Sequence, residues 1–305
     1  MALAALSIDL DSLEHYHRIH ALAPPSADPD PVYGPAIDRF AELCARLGVP
    51  GTAFAIGERL ADPAATAAVA RLAAAGHEVG NHSFSHDYAL SRRPPEAIAD
   101  EVRRGADAVE RAVGRRPRGF RAPGYTLSTA LLQALAAEGC RYDSSAFPAA
   151  PYWLAKAALM GALAAAGRPS SAILDRPRAL LAPRVPYHPS ASEPYARGTL
   201  PFLELPIATG ALCFPLTGTF VATLAPGLLR ALSAGTASRP LFVLELHGLD
   251  LLDASDLPVA SRVLAARQPG LRVPATAKAE RVEAFVRSLG REWVTLDEAA
   301  RRLEG

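Results

Sequence analysis

Short apolar runs alternate with stretches of helical periodicity along almost the whole chain, and no other feature restricts the possible folds as much. Residues 3–10 form a largely apolar run whose end carries Asp9 and Asp11. Further short runs at 51–56, 77–81, 118–122, 141–143, 202–207, 241–246 and 293–296 read as strands. Between them, residues 34–47, 62–75, 95–113, 128–138, 224–233 and 277–289 place apolar side chains at helical spacing, and 297–303 closes the chain as a helix. Most of the strands are apolar throughout, as expected when helices cover both faces of a parallel sheet. Seven or eight such strands suit a β/α barrel better than an open sheet of five or six. No glycine-rich phosphate loop follows the first strand, so a dinucleotide fold has no support. A single α/β domain over residues 1–305 is predicted. It carries a polar, proline-rich loop from His15 to about Tyr33 and an irregular insertion at about 148–200.

Composition removes several classes. Of 305 residues, 50% are hydrophobic and 21% charged, enough to bury a core and too apolar for global disorder. The 32 basic residues are balanced by 31 acidic ones, so the chain lacks the electrostatic footprint of a nucleic-acid binder. Only Lys156 and Lys278 are lysines. Cys44, Cys140 and Cys213 are odd in number and widely spaced, which indicates neither a disulfide framework nor a CxxC metal site and fits a reducing compartment. The N-terminal stretch has no basic segment before its apolar run and does not read as a signal peptide, so a cytoplasmic location is expected. The longest apolar stretch, 153–167, is interrupted by Lys156 and is too short to span a bilayer, though it leaves contact with a membrane surface open.

In a β/α barrel the chemistry sits where strands end and loops begin. Here those ends carry Asp9 and Asp11, His82 and His86, Arg121, Asp143, and His247. Asp9 and Asp11 are two residues apart, so on a strand both carboxylates face one side, and close carboxylates call for a cation. A strand-end turn is the plainer alternative. His82 and His86 are four apart; on a helical turn their imidazoles lie one above the other and can share one divalent ion with a carboxylate oxygen. Solvated surface histidines are the alternative. Arg121 sits in FRAPGYT, where Pro123 and Gly124 fix a tight turn able to aim a backbone N–H at a developing oxyanion. An ordinary surface pair of Arg121 with Asp143 would be the structural explanation. His247 follows a strand that is apolar except for Glu245, and beside a metal it would serve as general acid or base. His15, His17 and His20 form a rival metal-binding group, ranked lower because their loop is less rigid than strand ends.

Taken in order, these motifs resemble the polysaccharide deacetylases of the NodB-homology type, carbohydrate esterase family 4 and its relatives. The resemblance runs from Ser7 to Leu296 through SIDLD, HSFSH, RAPGY, YDSS and LELH. The second motif is the most specific, and the order is stronger than any one of them. The resemblance implies a distorted (β/α)7 TIM-like barrel. It implies Asp9 as the catalytic base, Asp11, His82 and His86 as ligands of a divalent metal ion, zinc foremost, and Arg121 as the residue that orients the base. His247 is implied as the catalytic acid, with Asp143 orienting it. Leu10 separates two acids that are adjacent in the common extracellular pattern. This variant is similar to intracellular and lipid-precursor members, including the deformylase acting on undecaprenyl-linked aminoarabinose. Gly124 stands where many members have an aromatic residue, and Tyr125 offers a ring one position later. The tryptophan usual after the fourth-motif acid is absent, which leaves Phe147 or Trp153 to supply an apolar wall.

The expected reaction is metal-assisted hydrolysis of an N-acyl group, foremost N-acetyl, on an amino sugar or glycolipid. The metal and a backbone N–H of Gly124 or Tyr125 would hold the oxyanion. The insertion presents Trp153, Leu154, Ala157, Leu159 and Met160 at near-helical spacing, with Tyr187, His188, Tyr195 and Arg197 beyond. It reads as a specificity element that covers a lipid-linked substrate, packs on the barrel, or forms an interface in a homo-oligomer. A cyclic amide or ureide hydrolase and a carbohydrate-binding barrel without turnover are the competing functions.

Overall fold

β1 (Leu3–Asp9) is buried at every residue, and a parallel sheet is built outward from it. In the computed structural model, which describes residues 2–25, 29–168 and 170–304, the chain continues through α1 (Leu13–Ile19), α2 (Pro35–Leu47), β2 (Gly51–Ala55), α3 (Pro63–Ala74) and β3 (Glu78–Asn81). Then follow α4 (Pro95–Val113), β4 (Gly119–Phe120), α5 (Thr129–Ala137), β5 (Tyr142–Asp143), α6 (Ala150–Ala165) and β6 (Leu203–Glu204). The last third holds α7 (Gly218–Thr223), α8 (Pro226–Ser233), β7 (Leu241–His247), α9 (Leu264–Arg267), α10 (Ala275–Ser288), β8 (Glu292–Trp293) and α11 (Leu296–Glu304). The strand order is β6-β5-β4-β3-β2-β1-β7, and β8 pairs Leu3 and Ala4 at the start of β1. A parallel bridge between Ile207, just past β6, and Val243 of β7 brings the two ends of that order together. The result is a curled sheet wrapped by helices, the distorted (β/α)7 barrel expected from the strand pattern and the resemblance.

Local chemistry explains the helix bounds. α2 and α4 each open with proline near the first turn and end at a glycine with positive φ, Gly48 (+67°) and Gly114 (+74°). Asp62 caps α3 by accepting from the Ala64 N–H at 3.0 Å, and Ser128 caps α5 by accepting from Leu131 at 3.2 Å. α4 packs onto the end of β3 only because residue 105 is glycine. A Cβ there would lie 2.3 Å from Asn81 Oδ1 and 2.8 Å from the Ser83 carbonyl carbon. Asn81 in turn donates to the Val102 carbonyl at 2.8 Å, tying helix to strand.

Three local expectations are corrected. The predicted loop after His15 begins inside α1, because His15 and His17 are buried and extend the apolar face of Leu13 and Tyr16. Ser26, Ala27 and Asp28 of that loop lie outside the described residues. The insertion is not irregular throughout, since α6 occupies its first part. His82 and His86 do not share a helical turn. They lie in a loop after β3 in which Ser83 (φ +63°) and His86 (φ +53°) both take the left-handed conformation.

Candidate active site

Parallel register sets the site. Asp9, the last residue of β1, lies beside His247, the last of β7. His82 and Arg121 each follow directly on a strand, and the ladder continues through them: the His82 N–H donates to the Ala55 carbonyl and the Arg121 N–H to the Asn81 carbonyl, both at 3.0 Å. Acid, imidazole and guanidinium are thereby delivered to one end of the barrel.

Asp11, His82 and His86 meet at one point. Asp11 Oδ1 is 3.1 Å from His82 Nε2 and 3.1 Å from His86 Nε2. The His82 Nδ1 donates to the Arg121 carbonyl at 2.7 Å, which leaves the Nε2 lone pair turned toward the carboxylate. Both ring nitrogens of His86 are buried without a hydrogen-bond partner among the described residues. Burial opposes the charge of Asp11, but the two imidazoles hold its carboxyl well below the usual carboxylate range. Two imidazole nitrogens and one carboxylate oxygen, all within 4.8 Å of one another, fit a divalent cation of the zinc class. Three positive-φ residues, Ser83, His86 and Tyr125, lie in the loops that shape this region.

Asp9, Glu245 and His247 are also mutually close, but their charges are already balanced within the protein. Arg121, wholly buried, donates from Nη1 to Asp9 Oδ1 at 2.7 Å and to Ser7 Oγ at 3.0 Å, and from Nε and Nη2 to the Ser144 carbonyl and hydroxyl at 2.7 and 2.9 Å. Its guanidinium also lies 4.3 Å from the centroid of the Phe54 ring. Glu245 Oε1 is 2.9 Å from His247 Nδ1. Burial alone would disfavour the imidazolium. The Glu245 carboxylate outweighs it, and Asp11 and Asp9 add to the effect, so His247 is held well above its ordinary value. His247 Nε2 faces the Tyr125 hydroxyl at 3.0 Å.

Several expected roles move. Asp143 does not orient His247, because β5 and β7 are not neighbours in the sheet. Its Oδ1 accepts from Ser145 Oγ at 2.5 Å, and Ser145 Oγ accepts from the Ala122 N–H at 2.8 Å, so Asp143 braces the turn after Arg121. Burial pushes both Asp143 and its neighbour Glu204 up. The Tyr125 N–H is not free for an oxyanion, since it donates to the Ala122 carbonyl at 3.0 Å. Trp153 is absent from the cavity wall; its Nε1 donates to the Asp175 carbonyl at 3.0 Å. Tyr152 and Phe147 form that wall instead. The rival histidines are structural. His15 bonds Ser12 Oγ at 2.9 Å, with burial foremost, then His86, pushing it down to about 3, while His17 bonds Ser261 and His20 bonds Gln268.

Residues 30–142 match the family model described as Polysaccharide deacetylase. The matched segment holds His82, His86 and Arg121. A Mycobacterium smegmatis structure assigned to the polysaccharide deacetylases shares 18% identity and a TM-score of 0.60 with it, over 99% of this chain and 90% of that one. A CE4 family pseudoenzyme from Bacillus anthracis shares 11% identity and a TM-score of 0.50, over 98% of this chain and 65% of that one. At these identities the likeness is one of fold. No curated protein matches the sequence. The residue that sequence reasoning missed is Glu245. The signal was present: it is the lone acid in an otherwise apolar strand, two residues before His247 and therefore on the same face.

Proposed function

We propose that the protein is a metal-dependent N-deacylase acting on an N-acylated amino sugar, with N-acetyl as the foremost acyl group. One observation carries this: Asp9, the Glu245–His247 pair, and Asp11 and His82 of the imidazole–carboxylate cluster line one cavity of about 520 Å³. A divalent ion held by Asp11, His82 and His86, zinc by the chemistry of its ligands, would supply Lewis-acid polarisation of the acyl carbonyl and activation of water. Asp9 accepts the proton of the attacking water. Arg121 fixes the orientation of Asp9 and balances its buried charge. His247 gives a proton from Nε2 to the leaving nitrogen, and Glu245 holds Nδ1–H so that the imidazolium is the resting form. The products are a carboxylic acid and a free amine.

The insertion serves as the specificity element in this reading. α6 turns Tyr152, Ala155, Leu159 and Met160 to the cavity, and Leu159 remains 39% exposed, so the apolar wall reaches the surface. Such a wall suits a sugar that carries an acyl or prenyl chain. No helix among the described residues is long and apolar enough to cross a membrane. Product mass spectrometry on the metal-loaded protein with soluble and lipid-linked N-acetyl amino sugars tests the proposal. Release of acetate with a free amine supports it. Bound metal without hydrolysis of any N-acyl sugar favours the non-catalytic barrel instead.

A further inference from the structure

Lys156 stands in the wall of the catalytic cavity with no carboxylate in ion-pair contact; Asp175 acts on its charge from farther off, and its ammonium lies 5.8 Å from the centroid of the Tyr152 ring. It is the only charged residue in the 16-residue helix α6. The ammonium donates to the Gly124 carbonyl at 3.2 Å, and among the described residues no Asp or Glu oxygen lies within 4.0 Å of it. The other lysine, Lys278, is buried and donates to the Leu249 carbonyl at 2.7 Å, away from the substrate space. The acids of the cavity all have partners: Asp9 has Arg121, Glu245 has His247, and Asp11 has its two imidazoles. Asp250 accepts from Thr219 Oγ1 at 2.8 Å and from the His247 N–H at 2.9 Å. An ammonium has three donors, and withdrawing it from water is costly unless hydrogen bonds or an opposite charge compensate. Burial pushes Lys156 down to about 8, so it still carries its charge for the most part at neutral pH.

We propose that Lys156 recognises an anionic oxygen group, a phosphate or carboxylate, carried by the substrate near its N-acyl nitrogen. This rests on the N-deacylase reading of the neighbouring residues. The placement favours it: Gly124, whose carbonyl Lys156 touches, adjoins Tyr125, whose hydroxyl faces the proton-bearing atom of His247. Lys156 and His247 line the same cavity, so one bound substrate can meet both. The competing role is a latch that merely ties α6 to the Gly124 turn.

A matched pair of substrates separates the two roles. N-acetylglucosamine 1-phosphate and the neutral methyl glycoside of N-acetylglucosamine are assayed with the metal-loaded wild type, K156M and K156R. The ratio of kcat/KM for the phosphorylated over the neutral sugar should fall about tenfold or more in K156M and return in large part in K156R. An equal fall on both sugars identifies a latch and overturns the proposal. If the wild type hydrolyses neither sugar, the deacylase reading fails on its own. Calorimetric binding of N-acetylglucosamine 1-phosphate then decides the role of Lys156, with weaker binding to K156M in support and equal binding against. A dodecyl phosphodiester of the same sugar distinguishes a lipid headgroup from a soluble phosphate. A Lys156-dependent preference for either one supports the proposal and names the source of the anion.

Discussion

Replacing Arg121 with leucine is the perturbation whose size the structure fixes best. The guanidinium is fully buried, and it is the nearest fixed cation to Asp9, which is 1% exposed. Glu245, also fully buried, feels the same charge. In Arg121→Leu the Asp9 carboxylate stays in place with its ion-pair partner gone, and the Ser144 carbonyl and hydroxyl lose their donors. Breaking a buried pair from one side costs about 3–5 kcal/mol, because the remaining charge is desolvated and unpaired. Urea unfolding of metal-free protein should show a loss of that size. The double variant Asp9→Asn/Arg121→Leu removes the stranded charge as well. Its loss should therefore be smaller than the sum of the singles, with a coupling of about 1–3 kcal/mol. A loss under about 1 kcal/mol in Arg121→Leu, the size of an exposed pair, would refute the role given to this ion pair. Strict additivity in the cycle would do the same.

Asp9→Asn should keep its metal, as read by elemental analysis, while kcat falls about 10²–10⁴-fold, the range for loss of a general base; full activity would remove Asp9 from that role. Glu245→Gln takes away the carboxylate that holds His247 above its ordinary value. A weaker hold lowers the pH at which the imidazolium loses its proton, so the alkaline limb of the kcat/KM profile should move to lower pH, and an unmoved limb would count against His247 as the acid. Gly105→Ala places a Cβ 2.3 Å from Asn81 Oδ1, so α4 must back away from the histidine loop. Thermal unfolding should reveal a loss of about 1–3 kcal/mol, with weaker metal binding alongside.

The sequence made some parts of this molecule plain and hid others for identifiable reasons. β1, β2 and β7 are long and wholly apolar or nearly so, and they were legible as buried strands. β4, β5 and β6 pair over two residues each, and only their place in the alternation marked them. Asp9, Asp11, His82, His86, Arg121 and His247 could be found because polar side chains that end apolar strands have few structural uses. The partner of His247 was legible in strand alternation, which places Glu245 two residues before it on the same face of β7, whereas Asp143 drew attention as the acid of the fourth motif although β5 does not pair with β7. α1 was masked by its histidines, which count as polar in a pattern but are buried here. The loop geometry at Ser83 and His86 has no signature in a four-residue spacing, because a helical turn and two left-handed residues both bring the rings together.

Zinc titration of metal-stripped protein, followed by calorimetry and by X-ray absorption at the zinc edge, bears most directly on the site. Wild-type protein should bind a single ion per chain with two imidazole nitrogens and a carboxylate oxygen among its ligands, and His86→Ala should weaken that binding by at least about 100-fold. A wild type that takes up no ion, or a His86→Ala variant that binds with unchanged affinity and ligand shell, would contradict the metal centre and with it the hydrolase.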